Sequence, residues 1–307
     1  MDELLDILPT DWVQAMRLKY GVELFDEWIK EAKLSMDYYL PLWGLKVQEF
    51  LPGGTLGLPI TCIRSDGQEV VFKLSSPWNQ SPYGAECAAL RAWDGRGAVR
   101  LLEASPRGDV LLMERVRPGI HMSHQLKDRE ACMLIAELYN QLGEACWVSG
   151  LPDASQQSQI HLQLARKVWK NHCLHTKMNE AHLTAFEEFV MAWCQGGAHR
   201  LTHGDFQNKN ILLKGEDLVV IDPAPAWSDP LMDLANWVLI FNPYQGVNER
   251  ARMLAEIMVL ELPRLITWIR IQATYSFIFN LPKKREAYLQ YWLTPKDLQR
   301  LCGQHGL

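Results

Sequence analysis

The 307-residue sequence predicts an α+β protein of two lobes, an antiparallel β-sheet lobe with one helix followed by a larger, mostly helical lobe. The length exceeds what one hydrophobic core usually fills. The apolar period also shortens from helical spacing to strand-like runs near residue 46, then lengthens again after Pro118-Gly119. No internal repeat or Gly/Ser linker separates the two regimes, so the junction is expected to be a compact hinge. The predicted division is 1–116 and 117–307, with 1–45 a helical extension of the first lobe.

In the extension, Trp12, Val13, Met16 and Tyr20, then Leu24, Phe25, Trp28 and Ile29, recur at helical spacing. Strands are expected at 46–51, 60–64, 69–74, 98–102 and 109–115, broken by Pro52-Gly53-Gly54, Asp66-Gly67 and Pro106-Arg107-Gly108. Asp66-Gly67 suits a tight hairpin. A helix opening at Ser81-Pro82, a cap followed by proline, and stopping near Asp94-Gly95 interrupts this sheet. Beyond Pro118-Gly119, Ala131, Leu134, Leu138, Leu142 and Ala145 form one stripe that ends at Gly150. Further helices are expected at 159–175, 180–195, 230–241, 249–260, 264–279 and 285–302.

Composition narrows the function. Against 36 Asp and Glu stand 31 Lys and Arg, a net charge of -5, so no positive field exists to attract nucleic acid and a cationic small molecule is the better-matched partner. The acidic start, Met1-Asp2-Glu3, lacks the basic region of a secretory signal, and the apolar runs 234–241 and 265–279 are too short for a bilayer or carry Arg270, so no membrane association is expected. Seven cysteines, odd in number and without a Cys-x-x-Cys pair, read as buried free thiols of a cytoplasmic protein.

The segment from Leu201 to Pro223 holds the densest chemistry. Two β-like runs flank Lys214 to Asp217, and a hairpin closed there pairs Leu213 with Leu218, sets Asn210 opposite Ile221 and brings Asn210 beside Asp222. An amide oxygen and a carboxylate are hard ligands suited to Mg²⁺ bound with substrate phosphates. Asp205, entering from the preceding loop, is placed to orient an attacking hydroxyl and accept its proton.

Lys73 sits inside the apolar run Val70 to Leu74 and needs a partner. Glu86, three residues after Tyr83 and four before Leu90, belongs to the apolar stripe of the interrupting helix. A Lys73–Glu86 ion pair satisfies both, either holding the ammonium toward nucleotide phosphates or serving as a structural bridge. Gly53 and Gly54 are placed to let backbone N–H groups approach phosphates. The stretch Leu111 to Gly119 reads as an edge strand whose free backbone groups at Glu114 and Val116 pair with an adenine ring at the lobe boundary.

Lys73, Glu86, His203-Gly204-Asp205, Asn210 and Asp222 together resemble the protein-kinase-like phosphotransferase fold in its small-molecule branch. Protein kinases carry Arg between that His and Asp and Phe-Gly after the last Asp, where this chain has Gly204 and Pro223. Trp93 to Leu102, Leu111 to Arg115 and the segments at His203 and Ile221-Asp222-Pro223 are similar to the aminoglycoside/hydroxyurea phosphotransferase family, which includes streptomycin 6-kinases. The resemblance implies ATP- and Mg²⁺-dependent transfer of the γ-phosphoryl group to a hydroxyl, with Asp205 as base, Asn210 and Asp222 on the metal and Lys73 on the phosphates. Phe206-Gln207-Asn208-Lys209 departs from the histidines and glycine the family often has in this loop.

Three further residues bear on the substrate. Asp229 and Asp233 are placed to attract a guanidinium or ammonium group, or Asp229, preceding Pro230, caps a helix. Trp227 stacks on a substrate ring or fills the core. The functional reading is a kinase of an aminoglycoside, streptomycin first; the alternatives are a kinase of an endogenous metabolite such as a sugar or amino alcohol, and a catalytically silent nucleotide-binding module.

Overall fold

A computed structural model describes residues 8–51, 57–77, 84–122, 126–143, 145, 147–171, 174, 177–280 and 282–305. Ser81-Pro82, Gly53 and Gly54 fall outside the described residues. The chain divides into two compact units, Met1–Gly119 and Ile120–Leu307.

The first unit opens with helices α1 (Thr10–Tyr20) and α2 (Val22–Leu42), which turn on Gly21. Phe25, Trp28, Ile29, Ala32 and Met36 fall at i, i+3, i+4, i+7 and i+11, and this buried face of α2 packs on a five-stranded antiparallel sheet through Ile60, Val70, Phe72 and Leu112. Burying each large side chain contributes about 1.5–3 kcal/mol. The strands are β1 (Leu45–Phe50), β2 (Gly57–Arg64), β3 (Glu69–Ser75), β4 (Leu101–Ala104) and β5 (Val110–Glu114), ordered β1-β2-β3-β5-β4; helix α3 (Ala85–Trp93) lies in the chain between β3 and β4 and stops at Asp94.

Two sequence expectations are corrected here. The strand expected at 98–102 begins only at Leu101, because positive-φ Gly95 and Gly97 keep the chain turning beyond α3. The part of the Leu111 to Gly119 stretch that forms β5, Leu111 to Glu114, is not an edge: β5 pairs with β3 on one side and β4 on the other, as its run of buried residues requires, and only Pro118-Gly119, in the strand that follows (β6, Pro118–His121), lie in an edge strand.

In the second unit, strand β6 (Pro118–His121), which leads in from the first, joins the hairpin β8 (Ile211–Lys214) and β9 (Asp217–Val220) in a sheet ordered β6-β8-β9, while β7 (Arg200–Thr202) pairs with β10 (Ala226–Ser228). Around them lie α4 (Asp128–Leu142), α5 (Ala154–Asn171), α6 (Glu180–Trp193), α7 (Pro230–Phe241), α8 (Val247–Met258), α9 (Leu262–Phe279), α10 (Pro282–Leu289) and α11 (Pro295–His305). Helix α7 buries nearly its whole circumference, including Leu234, Trp237, Val238 and Leu239, with α9 packed against it.

The helical expectations need two corrections. Helix α4 ends at Gly143, whose N–H closes on Tyr139 and Asn140, and does not reach Gly150. The helix expected at 285–302 is two, because Thr294 and Asp297 cap each other reciprocally and start α11 at Pro295. Among the described residues no helix is long and apolar enough to cross a membrane.

Candidate active site

In the first unit, β3 aims Lys73 inward and α3 meets it with Glu86. The ammonium lies 2.7 and 2.8 Å from the two carboxylate oxygens, and both side chains are buried. Glu114 ends β5 and accepts the Arg100 N–H at 2.8 Å through its side chain, while Val116 is buried just beyond the strand. Because β5 lies inside the sheet, the backbone not committed to its ladders begins only after Glu114.

In the second unit, the segment after β7 carries His203, Gly204 and Asp205, then a short 3₁₀ turn, Asn208–Asn210, leads into β8. Leu213 stands opposite Leu218, and the Ile221 N–H donates to the Asn210 carbonyl at 2.9 Å, which brings Asn210 and the residue after Ile221 to the same end of the hairpin. Asp222 there is exposed and left-handed, with φ 56°. Asn210 Nδ2 donates to the Asp205 carbonyl at 2.9 Å and to Oδ2 at 2.8 Å; Gln207 Nε2 donates to Oδ1, and the Lys209 ammonium is 3.1 Å from Oδ2. The Asp205 carboxylate is thus held by three neighbours on its own loop while remaining partly open to solvent.

A second layer holds the loop backbone. Asp233, buried in the first turn of α7, accepts the His203 N–H at 2.6 Å, the Gly204 N–H at 2.9 Å and the Tyr139 hydroxyl at 3.1 Å. His203 is fully buried, with Nε2 2.9 Å from the Ile221 carbonyl, and burial lowers its pKa, favouring the neutral ring. Burial pushes the Asp233 carboxyl upward while the two N–H bonds and the tyrosine work against that shift. Gly204 has φ +78°, and a Cβ there would collide with the Ala224 carbonyl, so the sharp turn into Asp205 requires glycine. Tyr139 was missed by sequence reasoning, although a hydroxyl beside an apolar helical stripe signals a buried partner. Trp237 was missed as well; its indole N–H donates to Asn208 at 2.9 Å and fixes the 3₁₀ turn.

Of the two readings of Asp229 the structure shows the helix cap, and Asp233 is likewise turned inward. Asp229 is buried, accepts the Leu231 N–H as the cap of α7, and spends Oδ2 on the Arg264 guanidinium and the Trp268 N–H at 2.7 Å. Asp233 is spent on the loop backbone. Neither carboxylate is presented to a cation from solvent. Trp227 is partly exposed on β10, edge-on to Trp147 at 4.6 Å.

Asn210 and Asp222 suit Mg²⁺. The engaged atom of the Asn210 amide is its nitrogen, which leaves Oδ1 as a hard ligand beside an exposed carboxylate. Among the described residues no three His, Cys, Asp or Glu side chains gather into a metal cage. Two protein oxygens completed by phosphate oxygens is the way Mg²⁺ is commonly held.

A sheet lobe with a buried lysine–glutamate pair, followed by a helical unit whose His-Gly-Asp loop is tied to a hairpin ending in Asn and Asp, defines a kinase-like small-molecule phosphotransferase of the protein-kinase-like fold. Residues 44–281 match the family described as aminoglycoside/hydroxyurea antibiotic resistance kinases, and the chain belongs to it. It is 28% identical to the hydroxyurea phosphotransferase of Kitasatospora aureofaciens over 267 residues, covering 85% of this chain and 76% of that protein. It is 25% identical to the streptomycin 6-kinase of Streptomyces glaucescens over 250 residues, covering 78% and 80%. Among solved structures it resembles the Plasmodium vivax ethanolamine kinase with a TM-score of 0.62 at 14% identity, over 87% of this chain and 88% of the other.

Proposed function

We propose that the protein transfers the γ-phosphoryl group of ATP to a hydroxyl of an aminoglycoside, with streptomycin the first acceptor to test. The observation that supports this most is the Asp205 carboxylate, partly exposed yet held by Asn210, Gln207 and Lys209, at the end of a hairpin that also carries Asp222. In this reading Asp205 orients the acceptor hydroxyl and takes its proton as the oxygen attacks the γ-phosphorus and ADP departs. Lys73, steadied by Glu86, binds the α- and β-phosphates, and backbone at Glu114 to Val116 meets the adenine. Mg²⁺ held by Asn210 and Asp222 would neutralise charge on the transferring group. The buried free thiols of Cys62, Cys87, Cys132 and Cys194 support a cytoplasmic setting.

The identity to a hydroxyurea phosphotransferase favours a second acceptor, hydroxyurea, for the same machinery. The test is ADP release by the purified protein with Mg-ATP against streptomycin, other aminoglycosides, hydroxyurea, sugars and amino alcohols, with Asp205→Asn as control. Turnover is expected to fall about 10²- to 10⁴-fold in the variant while Mg-ATP binding persists. Turnover confined to non-aminoglycoside acceptors would overturn the streptomycin assignment and retain the kinase. An Asp205→Asn protein as active as the wild type would overturn the mechanism.

A further inference from the structure

Gln157 lies in the first turn of α5 and is only 6% exposed, yet among the described residues its Oε1 has no hydrogen-bond partner. A buried amide oxygen without a partner is rare in a native protein, because its lost hydration is not repaid. Its place in the fold is specific. The N–H of Trp227 donates to the Pro152 carbonyl at 2.8 Å, Asp153 bridges to Trp227, and the Gln157 N–H donates to the Asp153 carbonyl at 2.9 Å, so β10 seats the start of α5. Gln157 Nε2 stands 3.2 Å from the point a Cβ on Gly204 would occupy, one residue from Asp205. One helical turn on, His161 packs edge-on to Tyr275 at 5.9 Å and feels the negative charge of Asp205, so this face of α5 borders the Asp205 loop.

We propose that Gln157 is an acceptor-recognition residue: its Oε1 accepts a hydrogen bond from an N–H or O–H that the substrate carries next to the hydroxyl to be phosphorylated. This rests on the phosphotransfer reading. The amide is neutral, so the site selects for a hydrogen-bond donor and not for positive charge as such, and it takes over the recognition that Asp229 and Asp233 cannot perform. A site built this way rejects acceptors that lack the donor, since they leave the oxygen unpaired.

The test replaces Gln157 with Leu, and separately with Met, both of similar size and without a polar group. With the acceptor that the wild type turns over best, kcat/KM is expected to drop at least tenfold, mainly through KM, while Mg-ATP affinity and melting temperature do not fall. Acceptor kcat/KM within twofold of wild type in either folded variant would overturn the inference and leave the kinase reading intact. A loss of melting temperature in both variants that accounts for lost turnover would overturn it in favour of a structural role. The phosphotransfer reading fails differently: wild-type protein binds Mg-ATP but consumes none with any acceptor, which removes this inference with it.

Discussion

Asn210 Nδ2 lies 2.8 Å from Asp205 Oδ2 and 2.9 Å from the Asp205 carbonyl, so a single amide ties the proposed base to the proposed metal ligand. One side chain can meet both proposed roles because the 3₁₀ turn delivers Asn210 to the hairpin end with its nitrogen toward Asp205. Asn210→Ala removes the tether and the oxygen proposed to bind the metal. The expected result is a weaker Mg²⁺ requirement curve, shifted about 10- to 100-fold to higher concentration, with lower kcat. ADP release measured across Mg²⁺ concentrations checks it; an unchanged curve would remove Asn210 from the metal site.

Lys73 and Glu86 form a buried pair, and deleting one removes the opposite charge 2.7 Å from the other. Lys73→Met is expected to destabilise the protein by about 3–5 kcal/mol, because the buried Glu86 carboxylate loses the ammonium that both its oxygens contact. The double variant Lys73→Met/Glu86→Leu should recover most of that stability without recovering ATP affinity. Urea unfolding and ATP titration of both proteins separate a phosphate-binding lysine from a merely structural bridge: in the latter case the double variant binds ATP normally.

Asp229 provides the contrasting case, a carboxylate whose oxygens are all engaged inside the protein. Asp229→Ala loses the α7 cap and removes the only carboxylate paired with the Arg264 guanidinium among the described residues, leaving it the Gly196 carbonyl and the Trp193 ring, at an expected cost of about 3 kcal/mol. Acceptor KM should hardly move at temperatures where the variant is folded. A raised KM at unchanged melting temperature would restore Asp229 to the substrate site.

Stability should fall on mild acidification. Burial lowers the pKa of His161, His182 and His203 in the folded chain, so below about pH 6.5 the unfolded chain takes up protons that the folded chain does not. Burial of Asp233 acts in the opposite sense, since its raised pKa lets the folded chain hold a proton that the unfolded carboxylate has released; it offsets at most one of the three rings. The expected slope is up to about 1.4 kcal/mol per pH unit for each uncompensated ring. Urea midpoints at pH 7.5 and 5.5 check the sign: a midpoint that rises on acidification contradicts it.

What could be read in advance depended on the range of the interaction. The hairpin register was legible because turn residues at Gly215-Glu216 and apolar runs on either side are local, and the opposition of Leu213 and Leu218 carried Asn210 and Asp222 to one end. Lys73 and Glu86 could be matched across 13 residues because each was a charge in an apolar pattern, and burying either alone is costly. The Thr294-Pro295 start of α11 was equally local but was overridden by a continuous helical pattern on both sides.

The sequence by itself determined which groups do chemistry and which short segments hold them, since turn chemistry, apolar period and the cost of a buried charge act over a few residues or one pairing. Tertiary structure decided how each remaining charge is used. Asp229, a cap legible from the Pro230 that follows it, is closed to a substrate because Arg264 and Trp268, 35 and 39 residues away, fold onto its Oδ2. Asp233 became a brace because α7 meets the backbone of His203 and Gly204. The Leu111 run became an interior strand because β4 closes its far side. These outcomes rest on long-range packing, where the partner that satisfies a polar group is set by the fold and not by its neighbours in the chain.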